Sequence, residues 1–420
     1  MSTIAVHKQI DYISSARQRW MGIIFTALGL AVYFAFANSL EPGLYTTYVM
    51  TPGGSSVTFD DWVFKTIPVL TGLAMVSVLL GIYQFFRGFG KYTNGVLGIV
   101  AGMFIFAFLS WANAGTSINL AGLLRSTLVR SIPITLAAFS GVLTERSGVI
   151  NIGIEGMLLA GAMVGALVGS LTNLWIGLLA AILIGGLMSW VHGVLSIKYK
   201  TDQIISSNTL LIFATGMTSF ISARFMQKYQ NLNNPGIFPN WKIPVLSEIP
   251  FIGPIFFDHN IFVYATFVFL ILLHIGLFYT RWGLRVRSVG EHPKAADTLG
   301  INVFTTRYMA VILSGLMAGF GGAYFTLGSV GRFDEVMTAG RGFIGLAAMI
   351  FGNWSPIGSF GAGLLFGFAD SLAGKLAILG VNISSEFLLM TPYIATMIVL
   401  AGVVGRGNVP AADGVPYEKE

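Results

Sequence analysis

The stretch Leu174–Ser196, LWIGLLAAILIGGLMSWVHGVLS, runs for 23 positions without Asp, Glu, Lys or Arg. About 20 helical residues cross the ~30 Å hydrocarbon core of a bilayer, so this run reads as a membrane-crossing helix. Its glycines would weaken a helix in water. Between helices packed in lipid they instead let backbones approach closely.

The pattern recurs along the chain, at 21–38, 66–86, 94–113, 131–145, 149–170, 204–223, 259–280, 306–328, 341–354, 357–378 and 388–404. Two of these, 131–145 and 341–354, are short and read as half-helices, re-entrant segments or strongly mixed spans rather than ordinary ones. Such pieces persist at membrane depth only where protein buries the backbone or a cavity hydrates it. The expected fold class is all-α: a polytopic transmembrane helical bundle with interrupted or half helices. Ala35-Phe36-Ala37 imitates a signal cleavage site, but the long n-region and long apolar run favour an uncleaved anchor.

Composition agrees. Charged residues are 10% of the 420 positions, apolar residues 55%, and mean hydropathy is +0.76. An ordinary soluble protein carries about 25% charge, and a chain this poor in polar groups needs lipid around it. The net charge of +6 comes without any dense Lys/Arg run interleaved with aromatics. It therefore reads as a basic excess on one membrane side rather than a nucleic-acid surface. With the N-terminus inside, 15 of the 24 basic residues fall inside, including the segment from Arg281 to Arg307, and both termini are expected in the cytoplasm. The chain has no cysteine, so neither a disulfide framework nor a thiolate metal site is expected.

Two loops are long enough for recognition. Segment 224–258 holds Asn231-Leu232-Asn233-Asn234-Pro235 and further prolines, which suits a stiff external rim. Segment 281–305, RWGLRVRSVGEHPKAADTLGINVFT, is polar enough to leave the bilayer and carries a short helix starting at Pro293.

Polar groups inside apolar spans are the candidates for chemistry. In Thr144–Gly156, TERSGVINIGIEG, Asn151 and Glu155 are spaced to share one helical face. They fit a substrate path, and they equally fit an interhelical clamp. Arg341, between Gly340 and Gly342, suits an oxygen-rich or anionic ligand at a helix start, or pairing with Asp334 or Glu335. Asp370 sits in an apolar helix and needs a partner. Asn208 and Asn353 complete the candidate path set. Glycine pairs at Gly161/Gly165/Gly169, Gly315/Gly319 and Gly363/Gly367 mark close helix crossings. A weak internal echo links Gly148-Val149-Ile150 to Gly342-Phe343-Ile344, as in folds built from two repeats. No phosphate-binding G-x-x-x-x-G-K-[ST] loop, H-E-x-x-H or G-x-S-x-G motif is present. The chain is thus not expected to be an enzyme, nor to carry a cofactor or metal.

The segment 131–162, SIPITLAAFSGVLTERSGVINIGIEGMLLAGA, resembles permease subunits of ATP-binding-cassette (ABC) importers for simple sugars and nucleosides, and among them the guanosine and other nucleoside permeases. Val289–Asn302, VGEHPKAADTLGIN, and Pro410–Tyr417, PAADGVPY, resemble the same group, in the same order. The resemblance implies the type II importer fold in a prokaryotic cell membrane. It implies a second permease subunit, usually a different chain in the nucleoside systems, separate ATPase subunits and an extracytoplasmic binding protein or lipoprotein. It also implies that Glu291, Pro293, Ala295, Ala296 and Gly300 form the helix that couples to the ATPase. It covers residues 117–405 as the permease core and 406–420 as a cytoplasmic tail, and leaves 1–116 as an extension of about three helices. An ion-coupled secondary transporter, with Glu155 or Asp370 carrying a proton, is the alternative reading. A membrane enzyme acting on lipid-linked substrate lacks a convincing set of acid, base or metal groups.

Overall fold

The computed structural model describes residues 15–55, 57–378 and 408–419. The apolar stretch 388–404 lies outside the described residues. The chain divides into two compact units, Met1–Gly122 and Leu123–Glu420.

In the first unit, α1 (Ser15–Ala31) continues through irregular turns to Ser39, and α2 (Thr66–Phe86) and α3 (Thr93–Ala112) complete three apolar helices. A Cβ on Gly22 would lie 2.7 Å from the Phe85 Cα, and one on Gly29 2.9 Å from the Ala74 carbonyl oxygen, so small residues set how closely α1 meets α2. The unit also holds a small sheet that hydropathy does not reveal. In it β1 (Tyr45–Val49) pairs antiparallel with β2 (Trp62–Lys65) and parallel with β3 (Ser117–Asn119). Thr46 and Tyr48, on one face of β1, turn into the unit and hydrogen-bond to Ser110.

The second unit is built on α4 (Leu120–Glu145), α5 (Ile154–Leu171), α6 (Leu174–Gly193, continuing to Lys198) and α7 (Gln203–Ile221, continuing to Met226). The segment that follows carries a one-turn helix α8 (Ile252–Phe256) and a two-stranded ribbon, β4 (Trp241–Lys242) with β5 (Asp258–His259). Next come α9 (Ile261–Tyr279), the short α10 (Arg281–Glu291) and α11 (Pro293–Thr298), then α12 (Val303–Ala323, continuing to Val330). The eleven-residue α13 (Arg341–Phe351) and α14 (Pro356–Ile378) close the described bundle. Ten helices among the described residues are long and apolar enough to cross a membrane.

Two expectations need correction. Segment 131–145 is neither a half-helix nor re-entrant; it is a strongly mixed span, the second part of the 26-residue α4, which passes through Pro133 unbroken. Arg125 and Arg130 had masked the first part, and both are paired, with Asp258 and Asp370 respectively. Segment 149–170 becomes helical only at Ile154; before it, residues 146–153 form an irregular chain. The short span at 341 is indeed short, and α13 covers only about 16 Å.

Burial ranks the helices. α4, α5 and α12 are mostly enclosed (89%, 72% and 78% of their apolar windows), whereas α7 and α9 are 22% buried. The first three therefore form the centre, and α7 and α9 leave most of their surface exposed. Glycines set the central crossings: Cβ atoms on Gly185, Gly315 and Gly319 would strike the Gly315, Gly185 and Ala181 carbonyls, so α6 and α12 touch backbone to backbone. Around them pack Leu128, Ile132, Leu136, Phe262, Phe320, Tyr324 and Leu327.

Candidate functional site

Residues 146–153 turn back into the bundle and deliver the first turn of α5. Gly148 has φ +82°, and the Asn151 Oδ1 accepts from the Gly153 N–H at 3.0 Å. Asn151 is fully buried, and its Nδ2 donates to the Met157 sulfur at 3.6 Å. The helix starts three residues beyond it, so Asn151 and Glu155 do not share a helical face as their spacing suggested.

Residues 331–340 likewise lead into the start of α13, and the two helix starts meet at Glu155. One carboxylate oxygen accepts from the Thr338 hydroxyl (2.7 Å) and the Gly340 N–H (2.8 Å), and the other accepts from the Gly342 N–H (2.6 Å). The first N–H groups of a helix lack internal partners and carry partial positive charge, so a carboxylate is stabilised there. Here one carboxylate lies in the first turn of α5 and caps α13 as well. A Cβ on Gly342 would sit 2.6 Å from both the Glu155 Cα and a carboxylate oxygen, so only glycine permits the approach.

Arg341 opens α13. Its guanidinium lies 3.7 Å from Asp370, which also binds Arg130 at 2.9 Å. Asp370 thus has the partner its setting demands, and the group of two guanidiniums and one carboxylate keeps one net positive charge. Pairing of Arg341 with Asp334 is not what forms; Asp334 binds Arg332 instead. Asn353 stands at the other end of α13, about 18 Å along the helix axis, with φ +55° and its Oδ1 accepting from the Asn408 N–H at 2.7 Å. It does not join Glu155, Arg341 and Asp370. Asn208 is exposed on α7, next to Ser207, whose carbonyl abuts Gly153.

At the Asn353 end, the three sequence segments that carry the family resemblance come together. The tail 408–419 lies against α10 and α11: Ala412 N–H donates to the Gly290 carbonyl (2.8 Å) and Ala411 N–H to the Glu291 carboxylate (3.2 Å). Gly290 itself packs on the Arg146 carbonyl, and a Cβ on Gly148 would meet the Ala412 oxygen. Tyr417 fills an apolar site formed by Val289, Ala296 and Val303. Two ion pairs border the tail, Lys200–Glu418 at 2.7 Å and Lys419–Asp297 at 3.5 Å.

α11 begins at Pro293, with the His292 ring nitrogen accepting from the Ala295 N–H at 3.1 Å, and ends where Gly300 takes φ +81°. Ala296 is buried under Tyr417, so it faces the tail and not the outside. Leu284 of α10 and Leu299 at the end of α11 are 60% and 81% exposed, and Ala295 and Thr298 of α11 are exposed as well. Large apolar side chains on a polar segment mark a contact surface.

Sequence reading missed a buried polar group in the same place. Glu145, at the end of α4, accepts from the Trp354 ring N–H, and the Asp413 carboxyl faces it. Arg307 is 1% exposed, donates to the Val415 carbonyl at 3.1 Å, and faces Asp413. The signal available was that Glu145 and Arg307 are charges near the ends of the apolar helices α4 and α12.

At the far end of α7 and α12, an open cleft of about 530 Å³ is lined by Gln227, Gln230, Asn231, Asn233, Asn234, Arg332 and Asp334. Asn233 anchors it by exchanging hydrogen bonds with the Phe333 backbone at 2.7 and 2.8 Å.

Residues 123–404 match the family described as branched-chain amino acid transport system / permease component. The chain is 43% identical over 308 residues to the guanosine ABC transporter permease protein NupQ of Bacillus subtilis, covering 70% of this chain and 95% of that one. It is 42% identical over 306 residues to the nucleoside ABC transporter permease protein NupC of Lactococcus lactis, with the same coverage. A putative glucose ABC transporter permease protein of Haloferax volcanii is 32% identical over 328 residues, 71% of this chain and 98% of that one. No solved structure matches the chain significantly. The long apolar helices, the absence of a nucleotide-binding loop and these matches agree: the chain belongs to the branched-chain amino acid transport system permease-component family and is a multi-pass membrane permease subunit of an ABC importer, served by separate ATPase and substrate-binding subunits.

Proposed function

We propose that this permease forms a translocation path for nucleosides, in preference to simple sugars. The observation that carries this is the identity of 42–43% over nearly the full length of two relatives named for guanosine and nucleoside transport, against 32% over nearly the full length of one named as a putative glucose permease. The amide-lined cleft between α7 and α12 supports it, since Asn and Gln offer paired donors and acceptors for base edges.

Residues 117–405 are the transporting core, 406–420 a cytoplasmic tail, and 1–116 an extension with its own three helices. Two permease chains line one path, as a heterodimer. Both termini face the cytoplasm, which puts α10, α11 and the tail on the ATPase side. Asn151, Glu155, Asn208, Arg341 and Asp370 border the path. Glu155 acts there by holding the two helix starts together, while the Arg130–Asp370–Arg341 group and the exposed face of α7 offer polar contacts to passing solute. Asn353 belongs to the ATPase side instead. Glu291, Pro293, Ala295, Ala296 and Gly300 shape the coupling helix, with Ala295 and Leu299 on the face that meets the ATPase. ATP binding on the partner then biases an outward/inward equilibrium through α10 and α11.

Uptake of labelled guanosine into cells or proteoliposomes, in competition with adenosine and ribose, tests the substrate class. Competition by adenosine with none by ribose is expected. Competition by ribose alone reverses the assignment.

A further inference from the structure

We infer that the C-terminal tail is a latch on the coupling helices, and that Asp413 is the positioning residue that closes it by sharing a proton with Glu145. The inference rests on the reading of α10 and α11 as the ATPase-docking element.

The tail touches every part of the coupling corner. It bonds to the backbone of α10 at Gly290, caps Glu291, covers Ala296 of α11 with Tyr417, and reaches Asn353 at the end of α13. Ala296 and Val289 would be open to water without it. A force on the outer face of α11 therefore passes to the membrane helices partly through the tail, which links α11 to the 146–153 loop and to α13. That loop leads in turn to Glu155, where α5 and α13 meet.

The closing contact is an acid pair. Asp413 and Glu145 face one another, and a hydrogen bond between two carboxyl groups needs one proton. Among the described residues, the charged groups that face Asp413 are Glu145 from α4 and Arg307 from α12. The neighbouring Arg146 is turned elsewhere, donating to the Asn353 and Trp354 carbonyls and facing Glu291 and Arg287 of α10. Two carboxyls and one guanidinium are neutral when one proton is held, and carry one negative charge in a half-buried place when it is lost. Among the described residues, the Arg307 Nε and one Nη find no hydrogen-bond partner, so it does not fix both acids in ionised form.

Burial pushes the Asp413 carboxyl up to about 7, against the Gly414 N–H, Arg307 and the hydrogen bond with Glu145, which all pull it down. Docking thus raises its pKa above the free value, so the docked tail binds the proton more tightly than the released tail. Docking is strongest at low pH and weakens as pH rises from about 4 through about 7.

The test uses the importer assembled with its ATPase and binding-protein partners in proteoliposomes, and reads solute taken up per ATP hydrolysed between about pH 6 and about pH 9. The native chain is expected to lose coupling several-fold toward alkaline pH, and Asp413→Asn to flatten that fall. The chain has no cysteine, so Asp297→Cys with Lys419→Cys can be bridged by a short bis-maleimide across an existing ion pair. With Asp413 intact, bridging is expected to restore alkaline coupling. An alkaline fall unchanged in Asp413→Asn, or unchanged by the bridge, overturns the latch. If Asp413→Asn does not assemble, the bridged chain decides alone. Leu299→Glu tests the underlying reading separately: normal ATPase binding there removes the docking assignment, whatever the tail variants do.

Discussion

Glu155 shows how one residue can look like a ligand-binding group and act as a joint. Its two oxygens hold Thr338, Gly340 and Gly342, so neither is left wholly free for solute. Glu155→Gln keeps one acceptor oxygen but turns an amide N–H₂ toward a backbone N–H. A loss of about 1–3 kcal/mol is expected from the unpaired buried donors, read as a lower melting temperature of the purified complex. Glu155→Asp, which keeps the charge, should retain more stability than Glu155→Gln. Gly342→Ala puts a methyl within 2.6 Å of the Glu155 backbone and should reduce the assembled complex in membranes. Wild-type yield and uptake in Gly342→Ala would remove the joint. The sequence told that Glu155 needed a partner, since an ionisable group in a span is costly. Its partners lie more than 180 residues away, in backbone N–H groups that no side-chain pattern announces.

Among the elements, α11 and its cap illustrate what local chemistry decides. Pro293 at the first turn, the His292 cap and Gly300 at the end define a short helix without help from the rest of the fold. Those signals were legible. Which face of α11 turns inward was not, because the tail that covers Ala296 arrives from far along the chain. Tyr417→Ala should open that site at a cost of about 3–5 kcal/mol if the tail stays docked, and protease should then cut the tail faster than in the native chain. Equal cutting rates would show that Tyr417 does not hold it. Asn302, whose Oδ1 accepts from the Thr305 N–H at 3.0 Å, caps α12; Asn302→Ala should cost about 1 kcal/mol, seen in thermal unfolding. The same limit explains the misread start of α4. Hydropathy counts Arg125 and Arg130 as charges, whereas Asp258 and Asp370 pair with them in the bundle.

At the scale of the molecule, the membrane character was legible from composition, because too few charges exist to cover the chain in water. The Gly315/Gly319 spacing marked α12 for a close crossing, and α6 is the helix whose backbone it touches. The small sheet of the first unit was not legible, since its strands are three to five residues long and lie between dominant apolar helices. The account makes this chain a passive path whose work comes from separate ATPase subunits. The most direct measurement is uptake of labelled guanosine into proteoliposomes holding the chain and its partner permease, with binding protein outside, with and without the ATPase subunits and ATP. The account predicts uptake only with both ATPase and ATP, unchanged by collapse of the proton and sodium gradients. Uptake driven by an ion gradient without the ATPase would contradict it.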